Sequence, residues 1–121
     1  MSVTNSSDKD AAVLAAFGPP PAVRAMSTGV LSHRVAAAGL CSDAGDDQCY
    51  PPIRAQRRRE LADYARRHCQ GCEVFAECRE LALRYEAKAG SSHGVWGGTA
   101  PWQRQAMIRA RSAGQEVRRA S

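Results

Sequence analysis

The sequence predicts a small all-α protein of about three to four helices. Three observations carry that class: apolar residues recur at helical spacing in successive segments between residues 54 and 112, no segment alternates apolar and polar residues as a strand does, and Pro or Gly stands at the segment boundaries. In the first segment, residues 54–68, Leu61, Tyr64, Ala65 and His68 fall at i, i+3, i+4 and i+7 with arginines elsewhere, and Pro51-Pro52 sets its start. In the second, about residues 73–88, Val74, Cys78, Leu81, Ala82 and Tyr85 form the stripe and Gly90 ends it. The third begins at Thr99, an expected N-cap followed by Pro101 in the first turn, and runs to about Ser112 before Gly114 interrupts the pattern.

Residues 1–39 are rich in Ala, Ser, Gly and Pro, contain the breaker Pro19-Pro20-Pro21 and show no sustained period, so they are expected to be largely disordered. Short helices near residues 10–17, with Asp10 as cap, and near residues 32–40 are the local exceptions. The expected organisation is an N-terminal extension over residues 1–39, a folded domain over 40–112 and a basic flexible tail over 113–121.

A chain of 121 residues holds about one domain, and this one has little bulky apolar material: Ala supplies much of the 44% hydrophobic share, and only seven residues are aromatic. A small core of this kind calls for an internal staple, and five cysteines are available. No run approaches the ~20 apolar residues that span a bilayer, so no membrane role is expected. Residues 11–17 follow an acidic segment and make a poor signal peptide. A cytoplasmic location follows, where thiols stay reduced and clustered cysteines bind metal or do redox chemistry.

The net charge of +5 is unevenly spread. Residues 41–100 carry nine charges of each sign, whereas residues 101–121 hold Arg104, Arg109, Arg111, Arg118 and Arg119 against Glu116 alone, an excess of four. Such an end suits a polyanion, with DNA the obvious partner, or simply keeps the chain soluble.

The cysteine spacing is the strongest signal. Cys69-Gln-Gly-Cys72 is a C-x2-C turn, Cys78 follows after five intervening residues, and Cys41 lies 28 positions before Cys69. Four thiolates at these positions can converge on one centre, favoured by the positive end of the second helix. Compact triplets with one distant member suit iron-sulfur clusters, whereas structural zinc more often uses paired short-spaced knuckles. Cys49 reads as a small apolar residue beside Tyr50. None of His33, His68 and His93 has ligand-like spacing. Gly94-Val95-Trp96-Gly97-Gly98 describes a tight turn that holds an indole in a fixed direction, either as an anchor for a partner or as core filling.

Cys41, the C-x2-C-x5-C set ending in Glu77-Cys78, and the Gly94–Gly98 turn before a terminal basic helix together resemble the WhiB-like transcription factors of actinobacteria and their phages. The resemblance covers about residues 40–112. It implies a helical domain organised around a 4Fe-4S cluster held by Cys41, Cys69, Cys72 and Cys78, with sensitivity to oxygen and nitric oxide. It also implies docking on the C-terminal region of the primary sigma factor, with Tyr50, Pro51, Gly94, Val95, Trp96, Gly97 and Gly98 on that surface, and DNA contact through Arg104, Arg109, Arg111, Arg118 and Arg119. The chain departs from the family pattern in having one aromatic before Pro51, Glu73 in place of a proline, and no Arg-Gly-Arg-Pro hook in the tail. The expected function is therefore that of a cluster-binding transcriptional regulator, not an enzyme. A zinc-stapled adaptor and a thiol-disulfide oxidoreductase using Cys69 and Cys72 are the competing readings; the latter lacks the βαβ pattern that usually carries such a pair.

Overall fold

A computed structural model describes residues 6–38, 57–92 and 94–120, excepting the side chains of 6, 7 and 115–120. The described residues form helices α1 (Ser6–Phe17), α2 (Pro21–Arg24), α3 (Thr28–Ala38), α4 (Arg58–His68), α5 (Phe75–Ala89) and α6 (Pro101–Ala120), and contain no strand, only an isolated bridge between Trp96 and Thr99. The all-α class is observed.

Helix α5 is the central element. Cys78, Leu81, Ala82 and Leu83 bury along it, and its last turn ends on Gly90 in the left-handed conformation, as the sequence predicts. The expected stripe is corrected at its end: Tyr85 is exposed, while Glu80 is buried in its place. That carboxylate binds Arg84 (3.0 Å) on its own helix and Arg111 (2.6 Å) on α6. Arg84 in turn donates to the backbone carbonyl of Arg24 and to Thr28 Oγ1. One buried carboxylate thus links α5, α6 and the α2–α3 corner, and each arginine offsets the desolvation of the charge it meets.

Residues 6–38 differ most from expectation. Instead of a largely disordered extension they form α1, α2 and α3, which pack on α6 and α5; α1 and α3 overlap the short helices expected near residues 10–17 and 32–40 and begin earlier than expected. Val23 and Leu31 bury against Leu81 of α5, with Met26 and Val35 alongside. The Ala-rich sequence hides this because its few large side chains are spread over three short helices, and stability comes from contacts with residues about 40 to 100 positions away. Asp10 does not cap a helix. It lies inside α1 and accepts two bonds from Arg109 of α6, at 2.8 and 3.0 Å.

Helix α4 begins at Arg58, and its expected face is observed: Ala65 is buried, with Leu61, Tyr64 and His68 half-buried beside it. Tyr64 and His68, one turn apart, stack at 5.8 Å. The proposed Pro51-Pro52 start lies outside the described residues. Helix α6 runs past Ser112 and Gly114 to Ala120, because one interior glycine costs a helix only about 1 kcal/mol and the flanking residues are helix formers.

The Asp10–Arg109 pair gives a test of α1 docking. Arg109 holds the Asp10 carboxyl below its ordinary pKa, chiefly through the hydrogen bond, and Asp10 raises that of Arg109. A carboxyl depressed in the folded state stabilises above its unfolded pKa, and the contribution is lost as pH falls through the folded value. Asp10→Asn should lower unfolding free energy at neutral pH by about 0.5–1 kcal/mol, a figure discounted because water screens the exposed arginine. Urea titrations should show the variant and parent converging in acid, once Asp10 is protonated; a gap that persists there would separate the effect from the ion pair.

Candidate functional site

Three of the cysteines lie among the described residues and flank the junction of α4 and α5. Cys69 ends α4, its amide donating to the Ala65 carbonyl at 3.1 Å, and the following Gln70 amide donates to the Arg67 carbonyl at 3.3 Å. The Cys72 amide then donates to the Cys69 carbonyl at 3.1 Å, closing a turn in which Gly71 has a φ of 84°. Cys78 sits in the first turn of α5, its amide bonded to the Val74 carbonyl at 2.8 Å. Cys78 is buried, whereas Cys69 and Cys72 are half-buried, and none of the three forms a disulfide. Cys41 and Cys49 lie outside the described residues.

The thiols share a cation that spacing does not reveal. Burial pulls the Arg79 guanidinium below its ordinary pKa, and the negative charge available at Cys69 and Cys78 pulls it back up. Arg79 also donates from Nε to the Gly97 carbonyl at 2.7 Å and from Nη1 to the Phe17 carbonyl, and its guanidinium lies 5.5 Å from the Phe75 ring. The side chain therefore joins the cysteine junction, the glycine turn and the end of α1. Its position immediately after Cys78 is the one sequence cue, and it does not distinguish Arg79 from the other arginines.

The Gly94–Gly98 turn rests directly on α5. An added Cβ at Gly97 would come within 2.5 Å of Arg79 Cβ, the Arg79 amide nitrogen and the Phe75 carbonyl oxygen. One at Gly98 would stand 3.2 Å from Arg79 Nη2 and 4.0 Å from Cys69 Cβ. Gly94, Gly97 and Gly98 all have positive φ, as the sequence predicts for this turn. Val95 is fully buried, while the Trp96 side chain is half-buried. Reciprocal backbone bonds join Trp96 and Thr99, and Thr99 Oγ1 donates to the Trp96 carbonyl at 2.6 Å. The expected N-cap at Thr99 is thereby corrected: Thr99 closes the turn, Ala100 takes the cap position before Pro101, and Gln103 Oε1 accepts from the Ala100 amide at 2.9 Å.

Arg104, grouped with the DNA-contacting arginines from sequence, is fully buried. It bonds Glu86 at 2.7 Å and donates to the Thr99 and Gly94 carbonyls, each at 2.7 Å. It therefore holds the glycine turn against α5 and α6 and cannot reach a phosphate. Arg109 and Arg111 are paired with Asp10 and Glu80, and Arg111 is mostly buried. The side chains of Arg118 and Arg119, like Tyr50 and Pro51, lie outside the described residues.

An open cleft of about 800 Å³ lies beside Cys69, lined among others by Phe17, Arg66, Arg67, Phe75, Arg79 and Gly98. Among the described residues, no three His, Cys, Asp or Glu side chains stand close enough to hold a metal ion. The donor chemistry nevertheless fits a thiolate-bound centre: soft sulfur ligands on a turn and a helix start, beside a side-chain-free glycine and a cation that offsets negative charge. Completing such a centre requires a further thiol from outside the described residues, the place that spacing gives to Cys41.

The family model described as transcription factor WhiB matches residues 36–107. The chain belongs to the WhiB family. A curated relative, the redox-responsive transcriptional regulator WhiB3 of Mycolicibacterium smegmatis, is 31% identical over 75 residues, which cover 59% of this chain and 72% of the relative. No solved structure matches the chain. The WhiB match ends within α6 and takes in the cysteine junction, α5 and the glycine turn, whereas α1 and α2 lie outside it. No described helix is long and apolar enough to cross a membrane.

The contact between the turn and α5 can be tested with two glycines of like backbone. Gly90 and Gly97 both have positive φ, but nothing lies within 4 Å of an added Cβ at Gly90. Gly90→Ala should cost about 1–2 kcal/mol for the left-handed backbone alone. Gly97→Ala should cost about 1–3 kcal/mol more, from overpacking against atoms that cannot rotate away. Chemical denaturation of the two variants under identical metal loading measures the difference; equal losses would show that the turn is not seated on α5.

Proposed function

We infer that this WhiB-family protein is a redox-responsive cytoplasmic transcriptional regulator in which Cys41, Cys69, Cys72 and Cys78 hold a 4Fe-4S cluster. The Gly94–Gly98 turn, with Tyr50 and Pro51, docks on the C-terminal region of the primary sigma factor, and the bound complex meets promoter DNA. The observation that carries this reading is the seating of the glycine turn on the cysteine junction, where Gly98 lies beside Cys69 and the Gly97 carbonyl accepts from Arg79 Nε, next to Cys78.

When bound, the cluster supplies electron transfer and reactivity toward oxygen and nitric oxide. The chain's own residues make the partner surface depend on the state of the thiols. Arg79 offsets negative charge at Cys69 and Cys78 while fixing the Gly97 carbonyl, so a change in sulfur charge or position alters the hold on the turn. Arg104 anchors the other side of the same turn through the Gly94 and Thr99 carbonyls. Val95 is buried between these anchors, leaving Trp96 half-buried at the surface as the group a partner can cover. This is the chemistry of a binding module.

Purification without oxygen tests the ligand set. The protein should contain iron and sulfide, and single Cys→Ala variants at 41, 69, 72 and 78 should lose iron while Cys49→Ala retains it. Iron retained in Cys41→Ala and lost in Cys49→Ala would move the distant ligand to Cys49, and zinc in place of iron would support a structural adaptor instead.

For docking, Trp96→Ala should weaken binding to the sigma factor's C-terminal region by about 30-fold, the equivalent of ~2 kcal/mol for a rigid aromatic anchor. The cluster's visible absorbance should be unchanged. Undiminished affinity would return Trp96 to the protein's own packing.

A further inference from the structure

The described arginines of the C-terminal helix are engaged within the chain: Arg104 is buried with Glu86, Arg109 meets Asp10, and Arg111 meets Glu80. Among the described residues, the densest run of exposed cations lies on and just before α4. Arg57, immediately before the helix, and Arg58, Arg59, Arg66 and Arg67 within it are all exposed. Glu60 and Asp63 are the acidic residues of this segment, leaving an excess of three positive charges over residues 57–68.

The face is held in a fixed direction. Arg58 lies 5.4 Å from the Trp102 ring, and Trp102 Nε1 donates to the Arg58 carbonyl at 3.1 Å, tying the start of α4 to the start of α6. Arg59 and Arg66 are seven residues, nearly two turns, apart and so project from one side of the helix about 10 Å from each other. The ion pair on this side, Arg66 with Asp63, is 3.6 Å long with both side chains well exposed. A pair of that kind contributes little and exchanges readily for a stronger anion. The exposed residues of the segment are Arg57, Arg58, Arg59, Glu60, Arg66 and Arg67, with no exposed aromatic or aliphatic anchor of the kind that centres a protein–protein interface. Guanidinium groups without an apolar centre match a row of phosphates, which they can grip through paired N–H donors.

We propose that the exposed arginine face of α4 contacts the phosphate backbone of duplex DNA. This rests on the reading of the protein as a DNA-contacting regulator and gives that contact a surface which the counted charge of residues 101–121 does not indicate. The contact is independent of base sequence: it raises the affinity of a promoter complex and orients the protein on the duplex without selecting the site.

The test uses the full chain purified without oxygen and a short mixed-sequence DNA duplex, with affinity measured across a salt series. The combined Arg57→Gln, Arg59→Gln and Arg66→Gln variant should bind more weakly at low salt and flatten the log–log salt slope by about 2–3 units, close to one per phosphate contact. Asp63→Asn, which removes the carboxylate competing for Arg66, should tighten binding by about twofold to fivefold, a gain that damage to the fold would not produce. A parent protein with no salt-dependent affinity for DNA overturns both this proposal and the DNA-contact reading. A parent that binds, with an unchanged slope in the triple variant, overturns the α4 surface alone and leaves DNA contact to other residues. A triple variant that keeps its DNA slope but loses the sigma-factor region would assign the face to an acidic protein surface and likewise overturn the proposal.

Discussion

A turn can lie flat against a helix only where no Cβ stands between them, and Gly97 meets that condition against α5. The positions an alanine methyl would occupy belong to the Phe75 carbonyl and to the backbone and Cβ of Arg79. Because the approach is this close, Arg79 Nε reaches the Gly97 carbonyl and Gly98 comes beside Cys69. The cysteine junction and the tryptophan turn, about 25 residues apart in sequence, become one site through that contact. Without it the thiols would still lie around the start of α5, but nothing would connect them to the surface that carries Trp96.

Three largely buried ion pairs keep the surrounding helices in register. Arg104 with Glu86 secures the turn to α5 and the first turns of α6, and Glu80 with Arg84 and Arg111 secures α5 to α6 and to the α2–α3 corner. Each charge is deeply or largely buried and accompanied by directional bonds, so the pairs specify an arrangement more than they add net stability. A small core rich in alanine leaves room for such specification: Leu31, Leu83, Val95 and Met107 are the largest fully buried apolar side chains among the described residues. Ala100, just before α6, and Ala106 within it are also buried.

Helix α1 gives the site a boundary not visible in the pattern of its own sequence. Phe17 at its end offers its carbonyl to Arg79, and Asp10 in its middle binds Arg109. The same arginine that is influenced by the thiols is thus shared between the glycine turn and the N-terminal segment. This makes α1 a participant in the electrostatics of the cysteine junction as well as a cover for α6.

Local chemistry determined much of this protein from sequence alone. Apolar spacing marked the faces of α4 and α5, Gly90 marked a helix end through its tolerance of positive φ, and the cysteine interval with the Gly94–Gly98 turn pointed to the family because each needs particular residue types at particular positions. Charge was the least legible property. Arg104, Arg109, Arg111 and the arginines of α4 look alike as letters, yet one is buried, two are paired and the α4 group faces solvent. Asp10 and Thr99 look like helix caps but serve an ion pair and a turn. Their partners are set by contacts between distant segments, and a side chain's burial and hydrogen bonds exist only once those segments have packed; helical periodicity and turn conformation, being properties of neighbouring residues, can be inferred beforehand.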